Sequence, residues 1–252
     1  MTTRPADTTS TSDLTDIVYP ESDGMPLADG EFQSPLFREI VATLETYFNN
    51  QPNTHVNGNT FIYYQEGNPQ RWVSPDRYVV FDISLESIER NNTYRIWEVG
   101  KSPDFVLEIG SPSTATTDLI SKRELYAALE IDEYWRHDAT GGRFYREPLV
   151  GERLVEGEYR RLELEREPGG MVRGHSAALG LDLCWDDGRL RFYDPVAGRW
   201  LLNYMEEQAG REAAEAHADA ERAARESAEA RADAAEARLA AMEAELRRLR
   251  GE

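Results

Sequence analysis

Apolar residues between positions 34 and 50 recur every three or four residues. In the stretch SPLFREIVATLETYFNN they are Leu36, Phe37, Ile40, Val41, Leu44, Tyr47 and Phe48. This spacing places them on one face of a helix, with Ser34 as the N-cap and Pro35 at the first helical position. We therefore expect an amphipathic helix that packs its apolar face on the core.

Short apolar runs separated by turn residues follow this helix. TFIYYQ and RYVVFDISL indicate two strands, and FVLEI, residues 105–109, indicates a third that is apolar at nearly every position. A connection centred near Asn91 and Asn92 joins the second strand to the third. After a Gly-Ser-Pro break, STATTDLISKRELYAALEI carries a helical stripe of apolar residues, and EYWRHD indicates another strand.

Residues 150–202 alternate short apolar pieces with glycine-containing turns, as in LVEGEYRRLELE and DDGRLRFYD. This pattern is typical of β-hairpins, which we expect to extend or wrap the sheet. The elements together predict an α/β fold, with a mixed sheet flanked by helices and extra β-hairpins.

The chain changes character at about residue 203, where alanine, glutamate and arginine dominate to the end. Such composition favours a long helix. Heptad core positions can be counted back from the C-terminus as Leu249, Leu246, Met242, Leu239, Ala235, Ala232, Ala228, Arg225, Glu221, Ala218 and Ala214. A solvated single helix and an alanine-rich coiled coil both fit this seam, and the coiled coil would make the chain a homo-oligomer through residues 206–250.

Three segments are therefore expected. Residues 1–30 are rich in Thr, Ser, Asp, Pro and Gly and predict a flexible arm, because they offer little apolar surface to bury. Residues 31–202 form the α/β domain, and residues 203–252 form the helical tail.

Charge and cysteine content narrow the function classes. Lys and Arg number 28 against 47 Asp and Glu, a net charge of −19, which argues against broad attraction to nucleic acid or anionic membrane. Cys184 is the single cysteine, so no intramolecular disulfide forms. The sequence MTTRPADTTSTSD lacks the apolar core of a signal peptide, and no apolar run has transmembrane length. We expect a cytoplasmic protein without membrane segments.

Glu108 stands inside the apolar run at 105–109, and a buried carboxylate requires a partner. If the strands on either side of Asn91 and Asn92 are antiparallel neighbours, paired positions sum to about 183, which places Asp76 beside Glu108. Cross-strand carboxylates within about 5–8 Å can share one divalent ion. Asp104 is a rival, but four strand residues separate it from Glu108 by roughly 13 Å.

Lys122 lies on the helix that follows the Glu108 strand. The intervening loop is long enough for the helix to fold back and bring the ammonium to the two carboxylates. Two acidic ligands for Mg²⁺ or Mn²⁺, with a lysine that stabilises charge or orients water, suit metal-assisted phosphodiester hydrolysis. A purely structural ion pair between Glu108 and a lysine is the open alternative.

These motifs, in the order helix, SPD-strand, PDFVLEIGSPST, Asp118-x3-Lys122-x3-Tyr126 and EYWRHD, resemble the Uma family of putative restriction endonucleases, within the PD-(D/E)xK nuclease superfamily. The resemblance covers roughly residues 25–199. It implies a restriction-endonuclease-like sheet and a metal-dependent endonuclease. It also implies that the partner is a nucleic acid, and DNA is the expected substrate rather than RNA.

The resemblance also assigns roles to single residues. It implies Asp76 and Glu108 as the metal-binding pair, with a further oxygen from the backbone carbonyl of Ile109 or Gly110. Glu39, on the first helix, resembles an acidic residue that some superfamily nucleases contribute from that position.

The chain departs from the superfamily pattern at one position. The superfamily lysine would stand at Gly110, whereas the Uma pattern places it on the next helix, at Lys122. The alternative function is a non-catalytic scaffold or interaction protein with a nuclease fold, oligomerised by its C-terminal helix. The acidic net charge favours this alternative, since DNA enzymes usually present a basic groove.

Overall fold

The structure is a computed structural model that describes residues 17–21 and 33–250, apart from the side chains of residues 33–38, 204 and 205. The chain divides into two compact units, Met1–Leu201 and Leu202–Glu252.

The helices of the described residues are α1 (Gln33–Phe48), α2 (Glu86–Asn91), α3 (Ile96–Val99), α4 (Ala115–Thr117), α5 (Arg123–Ala128) and α6 (Tyr204–Arg250), with a π-helical turn, Asp118–Lys122, between α4 and α5. The strands are β1 (His55–Asn57), β2 (Ile62–Tyr63), β3 (Trp72–Val73), β4 (Arg77–Val80), β5 (Tyr94–Arg95), β6 (Phe105–Ile109), β7 (Glu133–His137), β8 (Leu149–Val155), β9 (Glu158–Arg161), β10 (Glu165–Arg166), β11 (Val172–Ser176), β12 (Leu181–Asp186), β13 (Arg189–Asp194) and β14 (Arg199–Trp200).

The main sheet has the strand order β1-β4-β6-β7-β8-β9. Its centre is β6, which pairs antiparallel with β4 and parallel with β7. The sheet is therefore mixed, and the predicted antiparallel pairing of the two strands on either side of Asn91 and Asn92 is confirmed. Both central strands, β6 and β7, are buried at every residue.

The two faces of β6 contact different layers. Phe105, Leu107 and Ile109 share one cluster with the apolar face of α1 and with residues of β11–β13. Val106 lies on the other face, in a cluster with Tyr126 of α5. Because side chains alternate along a strand, Glu108 falls on the Val106 face, beneath the α4–α5 segment.

The hairpins predicted for residues 150–202 are present, and they belong to two different sheets. The β8–β9 hairpin turns at Glu156 and Gly157 and extends the main sheet. Strands β10–β14 form a second, five-stranded sheet, with the β12–β13 turn at Asp187 and Gly188. Both residues of each turn have positive φ, as in the two-residue turns whose twist matches paired strands.

One expectation about local structure needs correction, and two further features were not predicted. α1 begins at Gln33, so Ser34 lies inside the helix rather than at its N-cap, and the side chains of Leu36 and Phe37 are outside the described residues. The connection around Asn91 and Asn92 is structured, since it holds α2, β5 and α3. β5 pairs with β2 in a small sheet of order β3-β2-β5, a pairing that no local pattern specifies.

The flexible arm expected for residues 1–30 lies outside the described residues except for 17–21. Those five residues include Tyr19, which packs on the α/β domain. The Tyr19 ring packs edge-on against Tyr63 at 5.0 Å, and the Arg95 guanidinium lies 4.7 Å from its centroid. Aromatic area buried in this way offsets the ordering entropy of a short segment.

α6 is continuous over 47 residues, as the alanine-rich composition predicts. Within the described residues, no helix has both the length and the apolar character needed to span a bilayer.

We predict that Gly151→Ala destabilises the fold by about 1–3 kcal/mol, because the new methyl group overpacks the core. Gly151 is paired with Trp135 across β8 and β7, and a Cβ there would lie 2.7 Å from the buried indole ring. Urea unfolding measures the loss. Gly169→Ala is the control, since its Cβ would meet no heavy atom within 4 Å. Equal stability of the two variants would contradict the packing argument.

Candidate active site

The site lies where β4 begins and β6 ends. Arg77 pairs with Leu107 and Val79 with Phe105, so paired positions sum to 184. The sum of about 183 that the sequence predicts is one less than this observed sum. Continued by one step, the observed register sets Asp76, which precedes β4, level with Glu108. The two carboxylates are thus even more directly opposed than the sequence indicated.

Reciprocal hydrogen bonds join Asp76 and Glu108. The backbone N–H of Asp76 donates to Glu108 Oε2 at 3.2 Å, and the N–H of Ile109 donates to Asp76 Oδ2 at 2.7 Å. β4 starts too late to pair with Ile109, so the Asp76 side chain replaces a ladder partner there. Each acid therefore satisfies a backbone donor at the end of the other strand.

Lys122 reaches the pair from the helical layer. Its Nζ lies 2.9 Å from Glu108 Oε2 and 3.2 Å from Asp118 Oδ1. Glu108 and Asp118 are fully buried, whereas the Lys122 side chain is 16% exposed and Asp76 is half-buried. Asp118 and Lys122 bound the π-helical turn, whose wider winding is frequent at functional sites.

Tyrosine hydroxyls hold these acids from the far side. Tyr126 donates to Glu108 Oε1 at 2.6 Å, and Tyr145 donates to Asp118 Oδ2 at 2.6 Å. Tyr134 donates to the Asp118 backbone carbonyl at 2.8 Å. Each buried acid therefore has both a hydroxyl donor and the Lys122 ammonium.

The roles of Asp118 and Tyr145 were not predicted from the sequence, where Asp118 was named only as part of the Asp118-x3-Lys122-x3-Tyr126 motif. The Asp118-x3-Lys122 spacing contained the signal for Asp118, because residues four apart share a helix face. Tyr145 lies in a loop after β7, held by Asp138, which accepts the backbone N–H groups of Phe144 and Tyr145 at 2.6 and 3.1 Å. No periodicity in the sequence points to it.

The charges of the site perturb one another. Burial, together with the Asp76 and Asp118 charges, raises the pKa of Glu108 to about 8 although Lys122 opposes the shift. Burial also raises the pKa of Asp76. For Lys122, burial lowers the pKa, but the three surrounding carboxylates outweigh it and the net shift is upward. Three acids surround one ammonium, so the site has an excess of negative charge.

The absence of a lysine at Gly110 has a steric reason. A Cβ on Gly110 would lie 3.0 Å from the Tyr145 ring and 3.2 Å from Phe144. The same tyrosine that holds Asp118 therefore fills the space that a side chain at 110 would need. The ammonium is supplied instead by Lys122, which lies in the helical layer that covers Glu108.

The other predicted residues lie elsewhere or play other parts. Asp104 lies before β6, at the opposite end of that strand from Ile109, where it accepts the Phe81 N–H at 2.8 Å and pairs with Lys101 at 2.8 Å. Glu39 is half-buried on α1, and among the described residues no hydrogen bond or ion pair joins it to Glu108.

The donor set fits a hard divalent cation. Two carboxylates converge at Asp76 and Glu108, and excess negative charge favours a cation. The Ile109 carbonyl faces the Asp76 side, because the N–H and C=O of one strand residue point to the same edge. The carbonyl of Gly110 would point to the β7 edge, where its N–H donates to His137. Over residues 17–21 and 33–250 no group of three His, Cys, Asp or Glu side chains forms a metal cluster, so a backbone oxygen would complete the set.

The mixed α/β sheet therefore brings paired acids and a lysine together at the meeting ends of two antiparallel strands. Residues 22–202 match the family described as "Uma2: Putative restriction endonuclease". The chain belongs to this family, and the resemblance noted from its motifs is confirmed.

Further comparisons are sparse. The crystal structure of a putative nuclease belonging to DUF820 from Anabaena variabilis ATCC 29413 is similar to this chain at 15% sequence identity and a TM-score of 0.42, covering 60% of this chain and 75% of that one. No curated protein matches the chain.

We predict that the free energy of unfolding, measured with EDTA present, falls as pH rises from about 5 to about 8. The pKa of Glu108 is raised, so in this range the folded chain holds a proton that the unfolded chain has released. The slope is at most about 1.4 kcal/mol per pH unit. Urea unfolding of Glu108→Gln should show a flatter profile, whereas Glu86→Gln, at an exposed ion pair, should keep the wild-type slope. Parallel profiles for all three proteins would refute the assignment.

Proposed function

We propose that the chain is a Mg²⁺-dependent endonuclease that hydrolyses phosphodiester bonds in nucleic acid, with DNA as the first substrate class to test. The observation that supports this most directly is the group of three acids, Asp76, Glu108 and Asp118, around the single Lys122 ammonium. A fold-stabilising ion pair alone needs one acid per lysine, whereas this site has three.

Asp76, Glu108 and the Ile109 carbonyl would hold the ion. When bound, Mg²⁺ or Mn²⁺ supplies Lewis-acid stabilisation of charge on phosphoryl oxygens. The protein's part is to keep the two carboxylates oriented, which the Asp76 and Ile109 N–H groups and the Tyr126 hydroxyl do.

Lys122 acts as a cation rather than as a base in this proposal. Its pKa is shifted upward by the acids around it, so it remains an ammonium that donates hydrogen bonds. Such a group stabilises the charge that develops on a phosphate or orients the attacking water. Asp118, held by Tyr145, positions the ammonium from the side opposite Glu108.

A non-catalytic scaffold is the second candidate, and two observations favour it. The Lys122 ammonium already contacts Glu108 and Asp118, as a structural ion pair would. The net charge of −19 also opposes non-specific attraction to DNA. Activity assays decide between the two functions.

We predict that Asp76→Asn, Glu108→Gln and Lys122→Met each lower the rate of plasmid cleavage in Mg²⁺ or Mn²⁺ by about 100-fold or more, the effect of removing a preorganised charge contact. Cleavage of supercoiled plasmid, single-stranded DNA and RNA by the purified chain measures the rates and identifies the substrate.

The matched controls lie at the other end of β6. Asp104→Asn changes the second Pro-Asp pair, and Lys101→Met breaks an ion pair of similar length, 2.8 Å against 2.9 Å, without touching the site. Both should retain wild-type cleavage, and circular dichroism checks that every variant is folded. Glu39→Gln tests the remaining candidate. Loss in Asp104→Asn but not in Asp76→Asn would overturn the site, and no cleavage by wild type on any substrate would favour the scaffold.

We predict that Mn²⁺ binding releases protons at pH 6.5. The pKa of Glu108 is about 8, so this carboxyl is largely protonated before the ion binds and ionised afterwards. Calorimetric titration in two buffers of different ionisation enthalpy should differ by up to about one proton per ion. Glu108→Gln should remove both the binding and the buffer dependence. Wild-type binding that is independent of buffer would contradict the proton linkage, and absence of heat would contradict the metal.

Two further expectations belong to the proposal. The chain would self-associate through residues 206–250, which would place two nuclease sites on one duplex. It would act in the cytoplasm, in keeping with a buried, free Cys184.

A further inference from the structure

The end of α6 presents a row of large apolar side chains to solvent. Leu239, Met242, Leu246 and Leu249 are 61%, 66%, 51% and 73% exposed. Their spacing of three, four and three residues places them on one stripe, as the a and d positions of two heptads. Ala232, Ala235 and Ala228 continue the stripe toward the N-terminus. A helix that exposes such a stripe is stabilised when a second helix covers it.

Charges flank this stripe in a regular order. With Leu239 and Leu246 at a, the g positions are Arg231, Arg238 and Glu245. The e positions are Glu236, Glu243 and Arg250. In a parallel coiled coil each g residue faces the e residue five positions further along in the partner.

We infer that α6 pairs with α6 of a second copy as a parallel, in-register, two-stranded coiled coil over residues 228–250. This register opposes Arg231 to the partner's Glu236, Arg238 to the partner's Glu243, and Glu245 to the partner's Arg250. The charge at g changes sign from Arg238 to Glu245, and the charge at e changes sign from Glu243 to Arg250. The third pair therefore also joins opposite charges.

The antiparallel arrangement lacks this complementarity. When two antiparallel copies overlap the same four large apolar side chains, e faces e and g faces g. Glu243 then lies by the partner's Glu243, and Glu245 lies by the partner's Glu245. Like charges at the centre of the contact disfavour that orientation.

The interactions that these charged groups now make are exchangeable. Glu245 pairs with Arg248 on its own helix at 3.3 Å, and both side chains are more than half exposed. Arg231 donates to Ser227 at 3.1 Å in the same exposed setting. Exposed pairs of this kind contribute little to stability, so they do not oppose contacts with a partner.

The inference rests on the proposed self-association and adds its orientation and register. A parallel pair leaves both Met1–Leu201 units attached at the same end of the coiled coil, because each precedes α6 in its chain. An antiparallel pair that overlaps the same apolar side chains would attach them at opposite ends of the paired helices.

Cysteine cross-linking of the full chain tests orientation. Cys184 is buried, so wild type serves as the blank. Ala232→Cys and Leu246→Cys should each form a covalent dimer on mild oxidation, seen by non-reducing gel electrophoresis. Ala244→Cys, at an outward f position, should not. An antiparallel alignment brings only one position opposite itself, and these two sites are about 21 Å apart along the helix. Cross-linking at one of them alone would overturn the parallel arrangement.

Charge reversal tests register. Arg238→Glu should weaken the dimer about tenfold by sedimentation, because the introduced carboxylate would face the partner's Glu243 twice per dimer. Adding Glu243→Arg should restore the dimer to within about twofold of wild type. Arg247→Glu, an equal charge change at an outward b position, should leave the mass unchanged.

The outcomes separate the two claims. Equal weakening by Arg238→Glu and Arg247→Glu, or no rescue by the second change, would overturn the register while leaving self-association intact. A wild-type chain that sediments as a monomer, or as a trimer, would overturn the two-stranded pairing itself. The nuclease proposal is judged by cleavage and is untouched by either result.

Discussion

The burial of Glu108 is the constraint on which the rest of the site depends. A carboxylate in the central strand of a sheet has no water to solvate it, so the protein must supply donors. Here the donors come from three directions: the Asp76 backbone from β4, the Tyr126 hydroxyl from α5, and the Lys122 ammonium from the π-helical turn. Glu108 therefore links the strand to the helical layer, in addition to the apolar cluster that contains Val106 and Tyr126.

Tyr145 explains why the ammonium comes from a helix. The loop after β7 folds back against Gly110, so that a Cβ at this position would lie 3.0 Å from the Tyr145 ring. The hydroxyl of this tyrosine donates a hydrogen bond to Asp118, and the Asp118 carboxylate contacts the Lys122 ammonium. A lysine on the strand would require the Tyr145 and Phe144 side chains to shift. In this chain the cation comes from Lys122 in the helical layer.

At the site, as in the whole chain, acidic groups outnumber basic groups. Asp76, Glu108 and Asp118 surround one lysine, and the pKa of Glu108 is raised to about 8 because burial and like charges disfavour its ionised form. A group with this pKa is poised to exchange a proton for a cation near neutral pH. The fold tolerates the excess charge because every acid is hydrogen-bonded, which keeps the site organised before any ligand arrives.

The sequence alone determined the features that depend on spacing along the chain. The period of α1, the alternation of the hairpins and the long alanine-rich helix are local properties, and so is the oddity of a carboxylate in the β6 run. The pairing of Asp76 with Glu108 was also predicted to within one residue, because two strands taken as antiparallel neighbours about a central point have a fixed register. Tertiary structure decided what depends on contacts between distant segments. Tyr145 over Gly110, the separate sheet β10–β14 and the docking of Tyr19 on Tyr63 join residues far apart in sequence, and no periodicity encodes a contact of that kind.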